Sequence, residues 1–211
     1  KKTTHIIVYV KRRDLIDYYI SLVNKNVGSI RQMISSGEKA MVSYDYKKAF
    51  KSYYGTHRIF LSIDESQTYL LALGERNSLR LKTDDVNDLK TNVQGKLTKL
   101  NTSDKKSLDD VSFFISYALS NAIIKDRDSV LVEQFTYQET ELASKLSYRL
   151  QQNVIQDLGA NSNYSIQKGE EFKAPYLLKG TYWEKGGMLL IKSEFYDSNK
   201  KTSVNSFTTS L

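Results

Sequence analysis

Residues 130–211 carry the feature that most restricts the fold, a strand-like run followed by a helical pattern and four more strand-like runs. The helical pattern covers 141–158, where leucine and valine recur at steps of four residues. The strand-like runs lie at 130–135, 164–167, 176–183, 188–196 and 202–208. A strand, a helix and a second strand, followed by a meander, predict one mixed sheet with a right-handed first crossover.

Short capping patterns predict where the 141–158 helix begins and ends. Thr136 and Glu139 have the spacing of a capping box, in which each side chain bonds the main-chain amide of the other residue. Thr140 is a competing cap one turn later. Gly159 is expected to end the helix, because glycine readily adopts the left-handed conformation found there.

A second helix is predicted at 108–124, with Ser107 as its cap and Asp110 three residues further on. It can cover the same face of the sheet as the 141–158 helix. The C-terminal half is therefore predicted to be an α/β module, a mixed sheet with helices packed on one face.

Turn signals and one glycine predict which strand offers a binding surface. Gly186-Gly187 predicts a hairpin turn, and 197–199 predicts a polar turn into the last strand. Gly180 inside a strand indicates a bulge or a close approach of another group. Because Tyr182 and Trp183 follow directly, this strand is the best candidate surface, with packing of Trp183 beneath the helices as the alternative. The predicted partner-binding residues are Phe135, Tyr137, Tyr182 and Trp183.

Two segments of this module resemble a group of bacterial envelope proteins. They are Val-Leu-Val-Glu-Gln-Phe at 130–135 and Tyr-Leu-Leu-Lys-Gly-Thr-Tyr-Trp at 176–183, separated by a long helix. The pattern resembles the FlgO and FlgT flagellar accessory proteins, the curli secretion lipoprotein CsgG, LpoB-type activators of peptidoglycan synthases and the TolB N-terminal domain. The resemblance covers about half of the chain, and it implies an α/β module used for protein–protein assembly in the periplasm.

The N-terminal half has helical rather than strand periodicity. Patterns at 14–43 and 47–63, with a tight turn at 43–46, predict a helical hairpin. The segment 64–81 is ambiguous, and 86–100 reads as a weak helix. The segment 38–53 resembles one tetratricopeptide repeat, but no second copy is found, so a hairpin packed on another element is the preferred interpretation. The polar stretch 101–106 separates two predicted domains, 1–100 and 108–211.

The first residues suggest processing of a longer chain. A strand pattern at 5–10, a charged turn at 11–13 and a helix with Tyr18-Tyr19 resemble small envelope lipoproteins of the FlgP type. The sequence opens on Lys rather than Met, so we expect a signal sequence to have been removed, with a possible membrane anchor upstream. No apolar run reaches the roughly 18 residues that a membrane helix needs.

The net charge of +7 is uneven along the chain. Residues 1–100 hold 18 basic and 10 acidic side chains, whereas 101–211 hold 13 and 14. A basic half can bind nucleic acid, lipid or an acidic protein. At 44–58, however, tyrosines and basic residues fall largely on opposite helical faces, which favours a core plus a solvated surface over a base-stacking platform.

Residues that could carry chemistry are few. Cysteine is absent, which excludes disulfides and thiol catalysis. The two histidines, His5 and His57, lack companions in a metal or nucleophile pattern. The adjacent carboxylates are Asp84/Asp85, Asp109/Asp110 and Glu170/Glu171, and a more distant candidate pair is Glu133 and Glu194. Adjacent carboxylates at helix starts complement the helix dipole, which is the expected role of the first two pairs.

These observations lead to one functional prediction. We expect no catalytic activity, no cofactor and no metal. The protein is predicted to be a periplasmic, outer-membrane-associated accessory protein whose partners are other envelope proteins or further copies of itself. A nucleic-acid-binding module that uses the basic half is the alternative, and an enzyme with an unrecognised carboxylate site is a third possibility.

Overall fold

A computed structural model of the protein describes residues 10–75, 77–103, 106–120, 129–161, 164–167 and 174–211. Within these ranges five helices precede or interleave with six strands, which confirms the predicted α/β class. The helices are α1 (Arg12–Val42), α2 (Tyr46–Ala72), α3 (Asn77–Asn101), α4 (Leu108–Ser120) and α5 (Lys145–Asn161). The strands are β1 (Ser129–Val132), β2 (Thr136–Tyr137), β3 (Ser165–Gln167), β4 (Tyr176–Lys185), β5 (Met188–Asp197) and β6 (Thr202–Ser210).

The chain divides into two compact units. A helical unit comprises the chain up to Tyr44 together with Ser52–Leu97, and a sheet unit comprises Asp45–Lys51 with Thr98–Leu211. The division into functional domains at 1–100 and 108–211 stays a prediction. The predicted strand at 5–10 lies outside the described residues except for Val10.

The helical unit contains three long helices rather than a hairpin with a weak third helix. The second helix continues to Ala72, and the third already begins at Asn77, so the ambiguous segment 64–81 is helical on both sides of a short turn. The tetratricopeptide resemblance is wrong, because α1 and α2 have 31 and 27 residues, far more than one 34-residue repeat can hold. The predicted turn is confirmed by the left-handed Tyr44.

In the core of the helical unit, the aromatic ring of Tyr53 packs directly on Gly37. A Cβ on Gly37 would clash with the ring of Tyr53, which is itself fully buried. Burial raises the pKa of Tyr53 to about 12, with Glu38 adding to the effect. Exposed ion pairs between helices, such as Arg31 to Asp85 at 2.8 Å, contribute little by comparison.

The sheet unit contains one mixed sheet in the order β3-β1-β4-β5-β6, with β2 added beside β4. Strand β1 runs parallel to β3 and to β4, while β5 and β6 are antiparallel additions. The turn between β4 and β5 is Gly186-Gly187, and both residues have positive φ, as the sequence predicts. The polar turn before β6 is also confirmed, since the Asp197 carboxylate accepts hydrogen bonds from the amides of Asn199 and Lys200.

Both helices of this unit pack on the same face of the sheet, as predicted. The α5 stripe of Leu150, Val154 and Leu158 is fully buried. It meets Val111, Ile115 and Leu119 of α4 and buried side chains from the three strands β1, β4 and β5 in one hydrophobic cluster. Beside this cluster, Phe50 of α2 stacks on Phe114 with the ring centroids 4.2 Å apart.

The predicted start and stop of α5 are wrong. Thr136 belongs to β2, which pairs with β4, so neither it nor Glu139 caps a helix. The cap lies eight residues later, at Ser144, and the helix begins at Lys145 with a different capping box. The Ser144 hydroxyl accepts from the Ser147 amide at 3.2 Å, and the Ser147 hydroxyl accepts from the Ser144 amide at 2.8 Å. Gly159 lies inside the helix, which ends at Asn161.

Lys106 is the buried cation among the described residues of the sheet unit. The Lys106 ammonium donates to the main-chain carbonyl of Asn101 and, at 3.2 Å, to the Ser210 hydroxyl. It thereby satisfies a carbonyl at the end of α3, where helices favour positive charge. Burial lowers the pKa of Lys106 to about 8, against an opposing effect of Asp110.

Candidate functional site

The two faces of the sheet differ because successive side chains of a strand point to opposite sides. Leu178 and Tyr182 of β4 point into the hydrophobic cluster beneath α4 and α5. The alternate residues of the same strand point the other way. We call this second side the outer face. It carries Leu177, Lys179, Thr181 and Trp183 from β4, and Leu190, Lys192, Glu194 and Tyr196 from β5.

The outer face has two apolar ends and a charged middle. One end carries Trp183 and Leu190, directly opposite each other across β4 and β5, with the 43% exposed Met188 beside them at the hairpin tip. The other end carries Leu177 and Tyr196, which are also a cross-strand pair. The apolar side chains at both ends are half-buried, apart from the more exposed Met188. Such a surface can bury aromatic and aliphatic area on a partner.

The charges in the middle of the outer face balance. The Lys179 ammonium lies 3.8 Å from a Glu133 carboxylate oxygen and 5.4 Å above the centre of the Tyr196 ring. The Lys192 ammonium lies 2.6 Å from a carboxylate oxygen of Glu194. All four charged side chains are between 41% and 49% exposed, so these pairs contribute little stability by themselves. The middle therefore presents two positive and two negative groups.

The predicted partner-binding residues separate into two groups. Phe135 and Tyr182 lie in the core, where the Phe135 ring occupies the space that a side chain at Gly180 would need. The Tyr182 hydroxyl donates to Ser144 at 2.8 Å. Tyr137 is partly buried against Tyr182. Trp183 belongs to the outer face. Partner binding stays a prediction, and burial leaves Trp183 and Tyr137 as the residues a partner can contact directly.

Glu139 raises the pKa of Tyr137, with smaller contributions from burial and from Glu184. The phenol is therefore protonated and uncharged at neutral pH. It can donate a hydrogen bond but cannot serve as a base there.

The structure brings Glu133 and Glu194 to the same patch but not into an acid–base arrangement. Glu133 pairs with Lys179, which is in turn the cross-strand partner of Glu194. General acid–base catalysis needs two carboxyls in unlike environments, whereas these two share one kind of exposed, lysine-paired environment.

Other candidate residues have structural roles. Asp110 completes the predicted cap of α4, since its carboxylate accepts from the Ser107 amide at 2.9 Å. Asp84 and Asp85 are not at a helix start as expected, because α3 begins earlier, and Asp85 pairs with Arg31. His5, Glu170 and Glu171 lie outside the described residues. Among those described, no group of three or more His, Asp and Glu residues could hold a metal ion.

A groove between α2 and α3 of the helical unit encloses about 340 Å³. Phe60, Val93 and Leu97 form much of its lining, and His57 stands at its side. The Asp64–Lys90 ion pair, at 2.9 Å, also lines it.

Two tyrosines of the 44–58 segment, Tyr46 and Tyr53, are buried and so unavailable to stack on bases.

No described helix is long and apolar enough to cross a membrane.

No protein-family model matches the sequence. No curated protein matches it either. Two solved structures are similar in shape, the LpoB C-terminal domains from Escherichia coli and from Salmonella enterica. Each is 8% identical, and the match covers 50% of this chain and 98% of that domain, with TM-scores of 0.41 and 0.39.

Proposed function

We propose that the protein is a non-enzymatic accessory protein of the bacterial cell envelope that assembles with other proteins through the outer face of its sheet. The observation that carries this proposal is the composition of that face. It combines Trp183 and Tyr196 with aliphatic neighbours and balanced charges, on a side of the sheet opposite both α4 and α5.

The character of the outer face favours a protein partner over a charged polymer. Nucleic acids and anionic lipids require an excess of positive charge at the contact, because affinity comes from neutralising phosphates. The middle of the outer face has no such excess, since Lys179 and Lys192 are balanced by two glutamates, and Lys185 at the hairpin tip adds only one further cation. Its aromatic ends instead resemble the anchors that supply most of the free energy of protein–protein binding.

The envelope location rests on the sequence resemblance of 130–135 and 176–183 to envelope accessory proteins. The structure supplies a physical reason for two positions of that pattern. Phe135 packs directly on Gly180, so the phenylalanine that follows the first strand and the glycine within the later strand depend on each other. We place the protein in the periplasm, at the outer membrane, with its partner in a secretion, appendage or peptidoglycan machine.

Fractionation of cells that make the full-length gene product, fed a labelled fatty acid, tests the location. We expect the protein in the outer-membrane fraction and carrying the label. Recovery in the cytosol without label would contradict the envelope assignment.

Cross-linking in the same cells tests the surface. Trp183→Ala should abolish the cross-linked adduct, because it removes the largest anchor of the outer face. Tyr148→Ala is the matched control, since it deletes an aromatic side chain that is 59% exposed on α5. Equal adducts from both variants would show that the partner binds elsewhere.

A further inference from the structure

The outer face is complementary to itself. Each cross-strand pair of β4 and β5 joins two side chains that would also attract, or tolerate, each other across an interface. The pairs are Leu177 with Tyr196, Lys179 with Glu194, Thr181 with Lys192, and Trp183 with Leu190. Apolar residues pair with apolar residues near both ends and Lys179 pairs with Glu194, while Lys192 and Lys185 pair with the uncharged residues Thr181 and Met188.

We propose that a second copy of this chain packs on the outer face, related to the first by a two-fold axis running along the strands between β4 and β5. Such an axis exchanges the two strands and preserves the position along them. Every residue of β4 then lies over its own cross-strand partner in the second copy. Lys179 faces Glu194 of the second copy, and Trp183 faces its Leu190.

The complementarity selects this axis over the other two-fold axis available in the plane of the sheet. An axis across the strands at the Thr181–Lys192 pair would place Lys179 over Trp183 of the second copy. The same axis would also place the Lys192 ammonium groups of the two copies over each other and Glu194 over Leu190 of the second copy, so that neither charge meets an opposite charge across the interface. The axis along the strands instead places Lys179 over Glu194 of the second copy in two symmetric contacts, and it places Lys192 over the uncharged Thr181.

The geometry of the hairpin suits a face-to-face contact of two sheets. Strands β4 and β5 have ten residues each, so the face is roughly 33 Å long. Only β6 beside them has a similar length, and three neighbouring strands spaced about 4.8 Å apart make the face roughly 10–14 Å wide. Two such faces bury roughly 700–900 Å² in total, which is the size of a weak, transient interface. Sheets that pack in this way lie about 10 Å apart with nearly aligned strands.

Charge does not oppose the association. The chain as a whole carries +7, but the outer face carries only three lysines, counting Lys185 at the hairpin tip, and two glutamates. The sheet unit's half of the sequence, residues 101–211, has 13 basic and 14 acidic side chains. Two outer faces can therefore approach with little net repulsion between them, since the third lysine lies at the edge of the face.

The test uses two charge-reversed variants of the purified full chain, Lys179→Glu and Glu194→Lys. In a dimer of either variant alone, like charges face each other at both symmetric contacts, so self-association should weaken by more than about tenfold. In an equal mixture, the carboxylate introduced at position 179 faces the ammonium introduced at position 194. The other contact, between native Glu194 and native Lys179, is also attractive, so the mixture should form a heterodimer.

Sedimentation across a concentration series measures the association. Trp183 gives a second measurement, because it is the chain's single tryptophan and lies in the proposed interface. Its emission should shift to longer wavelength as the wild-type protein is diluted. Lys185→Glu is the matched control: it reverses one charge at the hairpin tip, where the facing residue is Met188, and should leave association unchanged. A monomeric wild-type chain, or a mixture no more associated than its components, would overturn the proposal.

This inference rests on the proposed function, since it names the partner of the same face, and one experiment in cells separates the two. A photo-cross-linking residue replaces Met188 in the full-length protein. An adduct with the mass of two chains supports the dimer. An adduct with a different envelope protein, together with a monomeric purified chain, overturns the dimer and leaves the proposed function standing. A cytosolic protein without any adduct overturns the proposed function.

Discussion

The two faces of the sheet are made from the same strands, yet they differ in composition and in burial. On the inner face, Leu178, Tyr182 and Phe195 lie in a hydrophobic cluster closed by helices. On the outer face, the alternate positions combine aromatic, aliphatic and charged residues, all at least partly exposed. The inner face determines whether the unit folds, whereas we propose that the outer face determines what it binds. Substitutions on the two sides should therefore affect different measurements.

The largest loss of stability should come from the inner face. Phe135→Ala removes a fully buried ring and leaves a cavity, at an expected cost of about 3–5 kcal/mol in the free energy of unfolding. Thr181→Ala on the outer face should cost no more than about 0.5 kcal/mol. Urea unfolding of both variants measures the difference. Similar losses from both would show that the two faces are not energetically distinct.

Lys106 is buried in the sheet unit, so the stability of this unit should depend on pH. Burial lowers its pKa from 10.5 to about 8, so between these values the folded protein binds fewer protons than the unfolded chain. The free energy of unfolding should therefore rise with pH across that window, by up to about 3 kcal/mol. Lys106→Met should lack this rise. Parallel pH profiles for the two proteins, measured by urea unfolding, would contradict the assignment.

Gly180 tests how tightly the inner face is packed. A Cβ at this position would meet the Phe135 ring, so Gly180→Ala should cost about 1–3 kcal/mol by overpacking. In the Phe135→Ala background the added methyl group has room, and its cost should shrink or vanish. A double-mutant cycle measures this coupling. Additive effects would mean that the ring and the glycine do not share the space.

The smallest of these effects concerns the cap that joins α5 to the inner face. Ser144→Ala should cost about 0.5–2 kcal/mol, because the Ser147 amide loses its acceptor and Tyr182 loses a partner. Thr140→Ala should cost little, although the sequence marks Thr140 as a competing cap. A thermal melt of each variant distinguishes them. A larger loss of stability from Thr140→Ala would contradict the assignment of Ser144 as the cap of α5.

Local signals in the sequence predicted the elements whose cause is local. The Gly186-Gly187 turn, the Ser107–Asp110 cap and the leucine stripe of α5 all depend on residues a few positions apart. The error at Thr136 has a non-local cause. Its capping pattern is overridden by pairing with β4, where Thr136 stands opposite Thr181, and no short motif reports a contact across 45 residues.

The outer face was only partly predictable. Trp183 stood out by residue type, but Lys179, Glu194 and Tyr196 did not stand out as part of a binding surface. Their arrangement follows once the hairpin turn is placed, because counting outward from Gly186-Gly187 pairs Lys179 with Glu194 directly. Whether α4 and α5 leave that side uncovered could not be counted in this way, because it depends on how distant segments pack.

The length of the two-residue turn between β4 and β5 sets the register in which the two strands pair. With the turn intact, ten residues on each strand are sorted alternately into those that face the helices and those that do not. Slipping β5 by one residue would leave the composition of the hairpin unchanged, yet it would carry Lys192 and Glu194 toward the core and Phe195 into water. The identity of both faces is therefore encoded in the length of a loop that contributes no side chain to either.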